Sequence, residues 1–214
     1  MIGYFVTGTD TNVGKTYVAS MLARRARSKG LRVFAFKPLE TGCQESLGAD
    51  QRALVEAAGG WQTDLLCGVV QLRRAAAPRV AAREEKRAID LLQLRSTMED
   101  GARQSDLTIV EGAGGWRVPI TDDVDIAALA RQVGLPLLVV ARAGLGTINH
   151  SLLTIEAVER DRCHVAAFVM SRRPDEDRDF ALENLEEVSR RWGGRCRLIE
   201  DDEAALDELI SSSE

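Results

Sequence analysis

The sequence predicts an α/β fold, a single domain built on a mostly parallel β-sheet flanked by helices. Three observations carry that expectation. Apolar β-type runs alternate with helix-period segments from end to end, the pattern of a parallel sheet with crossover helices. The first apolar run enters a loop bounded by Gly8 and Gly14, which opens straight into a helical pattern at Lys15. The chain has 214 residues, of which 45% are hydrophobic, enough for one substantial core. Neither an internal repeat nor a Pro/Ser-rich linker divides it, so one domain spanning residues 1–214 is expected.

Taken in order, Ile2–Thr7 reads as a strand, and Lys15–Arg27 as a helix with Val18, Met21 and Leu22 at helical spacing and Gly30 closing it. Leu31–Phe36 is a second strand, which Pro38 must end. Asp50–Ala58 is helical up to Gly59-Gly60, and a short strand is placed around Gly68–Leu72. The stretch Arg73–Arg87 reads as a solvated charged helix and connection. Ala88–Arg103 is a helix, and Leu107–Val110 a strand ended by Glu111 ahead of the loop Gly112–Trp116. Asp125–Gln132 is a short helix, Pro136–Ala141 a buried strand, Gly144–Gly146 a loop and Asn149–Arg160 a helix. Val165–Met170 is a strand, Asp175–Trp192 a charged helix and Cys196–Ile199 a last short strand. Glu200–Glu214 is an acidic helix with a frayed serine tail.

Composition excludes several classes. The 33 Asp and Glu against 28 Lys and Arg give a formal net charge of −5, which argues against nucleic acid as a partner. Only four of the basic residues are lysines: Lys15, Lys29, Lys37 and Lys86. Cys43, Cys67, Cys163 and Cys196 form no C-x-x-C pair and, with His150 and His164, make no zinc pattern. They read as reduced thiols of a cytoplasmic protein. The amino terminus reads as a strand rather than a signal peptide, and the longest apolar run, Leu135–Ala141, is too short to cross a bilayer.

The loop Gly8-Thr9-Asp10-Thr11-Asn12-Val13-Gly14-Lys15-Thr16 has the strand–loop–helix context of a P-loop, and the fold is therefore expected to be P-loop NTPase-like. Its N–H groups and the helix N-terminus supply positive potential, Lys15 reaches the terminal phosphates, and the Thr16 hydroxyl is placed for Mg2+. Five residues separate the two glycines instead of the usual four. Lys37, just after the second strand, is either a surface lysine or a second cation facing the phosphates. Glu111 can bind Mg2+ or simply face solvent, and Asp50 taken alone reads as a helix cap.

Together, Gly8–Thr16, Lys37-Pro38 with Thr41-Gly42, Val110–Trp116 and Gly146-Thr147-Ile148-Asn149-His150 resemble the dethiobiotin synthetases of biotin synthesis, motif by motif and in order over about the first three quarters of the chain. The five-residue gap is that family's own pattern. The resemblance implies a homodimer that uses a nucleoside triphosphate (ATP), Mg2+ and CO2 to close a ureido ring on 7,8-diaminopelargonate, through a carbamate and a carbamic–phosphoric anhydride. It implies catalytic roles for Lys15 and Lys37. It implies nucleotide contacts from Asn12, Val13, Gly14, Lys15, Thr16, Tyr17, Asp50, Glu111, Gly112, Ala113 and Gly114. Thr16, Asp50 and Glu111 would hold the metal, which raises Asp50 above a cap. Thr11, Thr41 and Asn149 would contact substrate, Asn149 through the 144–149 loop of the partner subunit.

The chain departs from the family in three places. Ser171-Arg172 stands where an adenine-reading Asn is usual, Arg197–Asp201 replaces a Gly-x-Ile-Pro-like segment, and Pro78 is followed by Arg79 in place of His. A hydroxyl cannot supply the paired donor and acceptor of an amide, so relaxed base selectivity is expected. Two other readings compete. A partitioning or assembly ATPase would carry an extra lysine early in the loop, where Asp10 and Thr11 stand. A small-molecule kinase would use Arg73–Arg87 as a lid.

Overall fold

The computed structural model describes residues 2–45, 47–66, 69–199 and 206–211. Six strands form one parallel sheet: β1 (Ile2–Gly8), β2 (Val33–Phe36), β5 (Leu107–Gly115), β6 (Leu137–Arg142), β7 (Val165–Ser171) and β8 (Cys196–Ile199), in the order β2-β5-β1-β6-β7-β8. Two short strands, β3 (Leu39–Thr41) and β4 (Val70–Leu72), pair in parallel as a second sheet. Helices α1 (Lys15–Ser28), α2 (Ala49–Ala57), α3 (Pro78–Glu84) and α4 (Leu91–Arg103) lie in the first half. The second half carries α5 (Ile126–Val133), α6 (Thr147–Arg160), α7 (Arg178–Trp192) and α8 (Asp207–Ser211).

A parallel sheet is covered on both faces, which is why its strands read as unbroken apolar runs. Alternation along β1 shows the division: Phe5 packs into a core with Phe34, Phe36 and Phe168, while Tyr4 and Val6 join Leu22, Leu54 and Ile109 on the opposite face. Close approach to α4 is possible because residue 101 is glycine; a Cβ there would stand 2.3 Å from the Phe34 ring.

The main departures from expectation have local causes. β5 does not stop at Val110. It continues through Glu111 to Gly115, because β1 offers it a ladder over that length, Val6 opposite Glu111 and Gly8 opposite Gly115. α2 begins at Ala49 with Gly48 as N-cap, so Asp50 sits in the first turn and is not its cap. α4 starts at Leu91, where Asp90 accepts from the Leu92 and Gln93 N–H groups, and α6 starts at Thr147, two residues ahead of the expected Asn149. β3 was unforeseen: Pro38 ends β2, yet its carbonyl accepts from Val70 N–H and starts the new pair. Within the 73–87 stretch, α3 packs on the small sheet, burying Ala81 and Ala82 in one core with Leu39, Val70 and Leu72, and is not merely solvated. Gly68, Cys67 and most of the expected C-terminal helix lie outside the described residues; of that helix α8 is described. Cys43, Cys163 and Cys196 are free thiols. No helix among the described residues is long and apolar enough to cross a membrane.

Candidate active site

The C-terminal ends of β1, β2, β5, β6 and β7 meet at one edge of the sheet, where α/β folds collect ligands. A cavity of about 1010 Å³ opens there. Its floor is the loop between β1 and α1. Gly14 caps α1 in the left-handed region (φ 97°), and a Cβ on it would stand 2.5 Å from Ser171 Oγ, so glycine is required twice over. Asn12 is left-handed too (φ 59°), a conformation its residue type tolerates. Lys15 is buried, and its Nζ donates to the Asp10 carbonyl at 2.7 Å. Burial pushes the Lys15 ammonium down to about 8, with the Glu111 charge resisting.

Above this floor three elements bring their charges to one point. Glu111, fully buried on β5, accepts from Thr16 Oγ1 at 2.9 Å and from Lys37 Nζ at 2.8 Å through the same oxygen, Oε1. Lys37 Nζ also donates to Asp50 Oδ2 on α2. Burial alone would lower the Lys37 pKa, but Glu111 and Asp50 outweigh it and hold the group above the ordinary lysine range, as an ammonium. Glu111 Oε2 is buried without a hydrogen-bond partner. An orphaned carboxylate oxygen at that depth fits a cation's ligand.

The phosphate-loop residues Thr11, Asn12, Val13, Gly14, Lys15, Thr16 and Tyr17 all line the cavity, as do Lys37, Thr41, Asp50, Glu111, Ala113 and Gly114. Two expected residues do not. Gly112 faces the core, where a Cβ would meet Ile126 and Phe5 at 3.2 Å, and Asn149 stands exposed on α6. Sequence reasoning missed other walls. Arg142 closes one side at the end of β6, a position the edge rule for parallel sheets already marks. Ala75, Ala76, Ala77 and Pro78 form an apolar wall opposite, which no chemical signature announces. None of the arginines of that stretch lines the cavity: Arg74 pairs with Glu84, Arg79 with Asp122, and Arg87 donates to the Gln71 carbonyl.

Of the departures from the family pattern, Ser171-Arg172 and Pro78 lie on the lining of the cavity, while Arg79 and Arg197 do not. Ser171 lines it beside Arg173, Pro174 and Glu176. Arg172 folds back on its own loop, donating to the carbonyls of Arg173 at 3.0 Å and Glu176 at 2.5 Å. Arg197 donates to the Cys196 carbonyl at 2.8 Å and pairs with Glu208 on α8.

A family model described as an AAA domain matches residues 3–194. The chain is 42% identical over 191 residues to the ATP-dependent dethiobiotin synthetase BioD of Anaeromyxobacter dehalogenans (strain 2CP-C), covering 89% of this chain and 85% of that one. With the enzyme of the same name from Cellvibrio japonicus (strain Ueda107) it shares 37% over 197 residues, 90% and 86% of the two chains. Among solved structures, a ParA family ATPase from Chlorobium tepidum TLS superposes with a TM-score of 0.57 over 99% of this chain and 89% of its own, at 13% identity, a likeness of fold alone. From these lengths and identities, the chain belongs to the family of ATP-dependent dethiobiotin synthetases.

Proposed function

We propose that this chain closes a ureido ring on 7,8-diaminopelargonate with CO2 and ATP. The observation that supports it best is the meeting of Lys15, Lys37, Thr16, Asp50 and Glu111 at the mouth of a phosphate loop, beside a cavity of about 1010 Å³. That volume suits a nucleotide and a second small substrate together.

One substrate amine captures CO2 as a carbamate. A carbamate oxygen attacks the γ-phosphate, ADP leaves, and a carbamic–phosphoric anhydride forms. The second amine then attacks the carbonyl carbon, loses a proton, and expels phosphate as the ring closes. The difficult moment is the approach of two anions. Lys15 holds the terminal phosphates from the loop, and Lys37, kept as an ammonium, screens the oxygen that attacks. Thr11 and Thr41, both on the cavity wall, are assigned to the diamine or its carbamate. Mg2+ fits the donor set of Thr16 Oγ1, Asp50 and the orphaned Glu111 oxygen, with nucleotide phosphates completing a shell that side chains alone do not. When bound it would neutralise charge on the transferred phosphoryl group.

Asn149 serves the partner subunit's cavity in a homodimer. Exposed Leu153 on α6 and exposed Leu145, in the loop just before that helix, would supply an apolar contact there. At the base end the absence of an amide leaves the triphosphate as the main recognition element, and CTP or GTP is expected to replace ATP with modest loss. Supplying diaminopelargonate, labelled bicarbonate, Mg2+ and ATP tests the whole reading: label should enter a cyclic urea with one phosphate released per ring. Absence of both with ATP, CTP and GTP would discard it.

A further inference from the structure

Helix α2 starts against the small β3–β4 sheet, and side chains from both of its strands hold the first turn. Glu40, buried in the middle of β3, accepts the Asp50 N–H through Oε1 at 2.9 Å and the Gln51 N–H through Oε2 at 3.0 Å. Gln71, its register partner on β4, accepts the Gly48 N–H through Oε1 at 2.6 Å. The helix in turn grips the end of β2: Gln51 Oε1 accepts the Lys37 N–H at 2.7 Å, and Gln51 Nε2 donates to the Ala35 carbonyl at 3.3 Å. The backbones of Asp50 and Lys37, whose side chains pair across the site, are therefore fixed by one connected set of bonds.

Helix N-termini leave N–H groups unpaired, and this one has no cap of its own, because Gly48 carries no side chain. The capping group has been moved to another element. A carboxylate suits it, since two N–H donors need two acceptors and the helix dipole favours negative charge there. A carboxamide would turn a donor toward one of those N–H groups. Gly48 makes the approach possible: a Cβ at that position would lie 2.2 Å from the Glu40 carboxyl carbon.

We propose that Glu40 is a positioning residue, acting through the first turn of α2 to hold Asp50 at the metal–phosphate site. This rests on the reading of Asp50 as a metal ligand given above. Glu40, Asp50 and Glu111 all line the cavity; of these, Glu40 is spent on backbone, which leaves the two that pair with Lys37 for a cation.

The test is a double-mutant cycle on the full chain, read as Mg2+-dependent binding of a non-hydrolysable ATP analogue by calorimetry. Glu40→Gln should raise the Mg2+ concentration for half-maximal nucleotide binding about tenfold, yet change it less than about twofold when Asp50 is already alanine, because coupled residues are not additive. Equal effects in the two backgrounds, or none in either, would overturn the proposal and leave Glu40 an ordinary cap. Should Glu40→Gln fail to fold by circular dichroism, Gly48→Ala pushes a methyl group into the same carboxylate with Glu40 intact, and the same cycle applies. Binding is read without diaminopelargonate, so a wild type that closes no ring would count against the synthetase reading while the cycle still decides on Glu40. If Asp50→Ala leaves the Mg2+ dependence unchanged, the metal assignment and this proposal fall together.

Discussion

Among the four lysines the division of labour is physical. Lys15 and Lys37 are buried at 6% and 5% exposure, whereas Lys29 pairs on the surface with Asp207 at 3.2 Å. A compact ammonium can sit between two carboxylates where a forked guanidinium would not fit, and the arginines are left to the surface. Lys37→Ala is expected to lower kcat by about 100- to 1000-fold with little change in nucleotide affinity, the pattern of a group whose partner charge develops during transfer. Lys37→Arg should not restore it. Steady-state kinetics beside calorimetric titration of ATP checks both, and equal losses in binding and turnover would make Lys37 a ground-state phosphate ligand. At this scale the phosphate loop was legible because its residues are neighbours in the chain. Asp50 was legible only by resemblance, since its local pattern suggests a cap and its side chain in fact reaches Lys37 on another element. Glu40 was not legible at all, because its partners are backbone N–H groups ten and eleven residues away.

Elements that were mis-bounded from sequence were those whose limits are set by a neighbour. β5 reads as strand then glycine loop, but the ladder with β1 carries it five residues further, and this buries Glu111 completely. A similar long-range tie fixes the segment that follows it. Trp116 Nε1 donates to Asp161 Oδ2 at 2.7 Å beyond the end of α6, and Arg117 reaches the same carboxylate at 2.8 Å. Burial would raise the Asp161 carboxyl, but the bonds from Trp116 and Arg117 and the charge of Arg131 hold it below its ordinary value of 3.8. A carboxyl lowered by folding stabilises the native state above its unfolded pKa, and that contribution fades as pH falls through the lower folded value. Asp161→Asn should therefore lower Tm by about 2–4 °C at pH 7, consistent with a loss near 1 kcal/mol in a chain of this size. The gap should begin to narrow only as pH falls below 3.8, and scanning calorimetry from pH 7 downward would show it. A difference independent of pH would mean that packing of Trp116, not charge, carries the effect.

Across the whole molecule, the alternation of strands and helices made the sheet readable out to its edge strands, while the packing of the last helix was not. α8 illustrates why. Leu206, Leu209 and Ile210 are buried in the core around α1, Tyr4 Oη donates to the Leu209 carbonyl at 2.7 Å, and Arg25 donates to Asp207 at 2.6 and 2.7 Å. The acidic composition of that segment conceals three core side chains. Truncation after residue 205 should lower the urea midpoint sharply, since each apolar side chain buried contributes about 1.5–3 kcal/mol. Nucleotide affinity of the fraction still folded should hardly change. In the proposed homodimer, Leu153→Glu should give a monomer by sedimentation and weaken diaminopelargonate binding while ATP binding persists. A dimer that survives the change would place the contact elsewhere.

The ion pairs between Lys37 and the carboxylates of Asp50 and Glu111 have a consequence for how the protein is kept and supplied. Many sites that gather acidic groups for a divalent ion are repulsive until the ion arrives, so their folding depends on metal availability. Here the chain carries its own resident counterion, so folding is expected not to depend on the proposed magnesium ion. Chelation with EDTA should leave the melting temperature in place while abolishing turnover, so starvation for the metal would silence the protein reversibly without exposing it to misfolding.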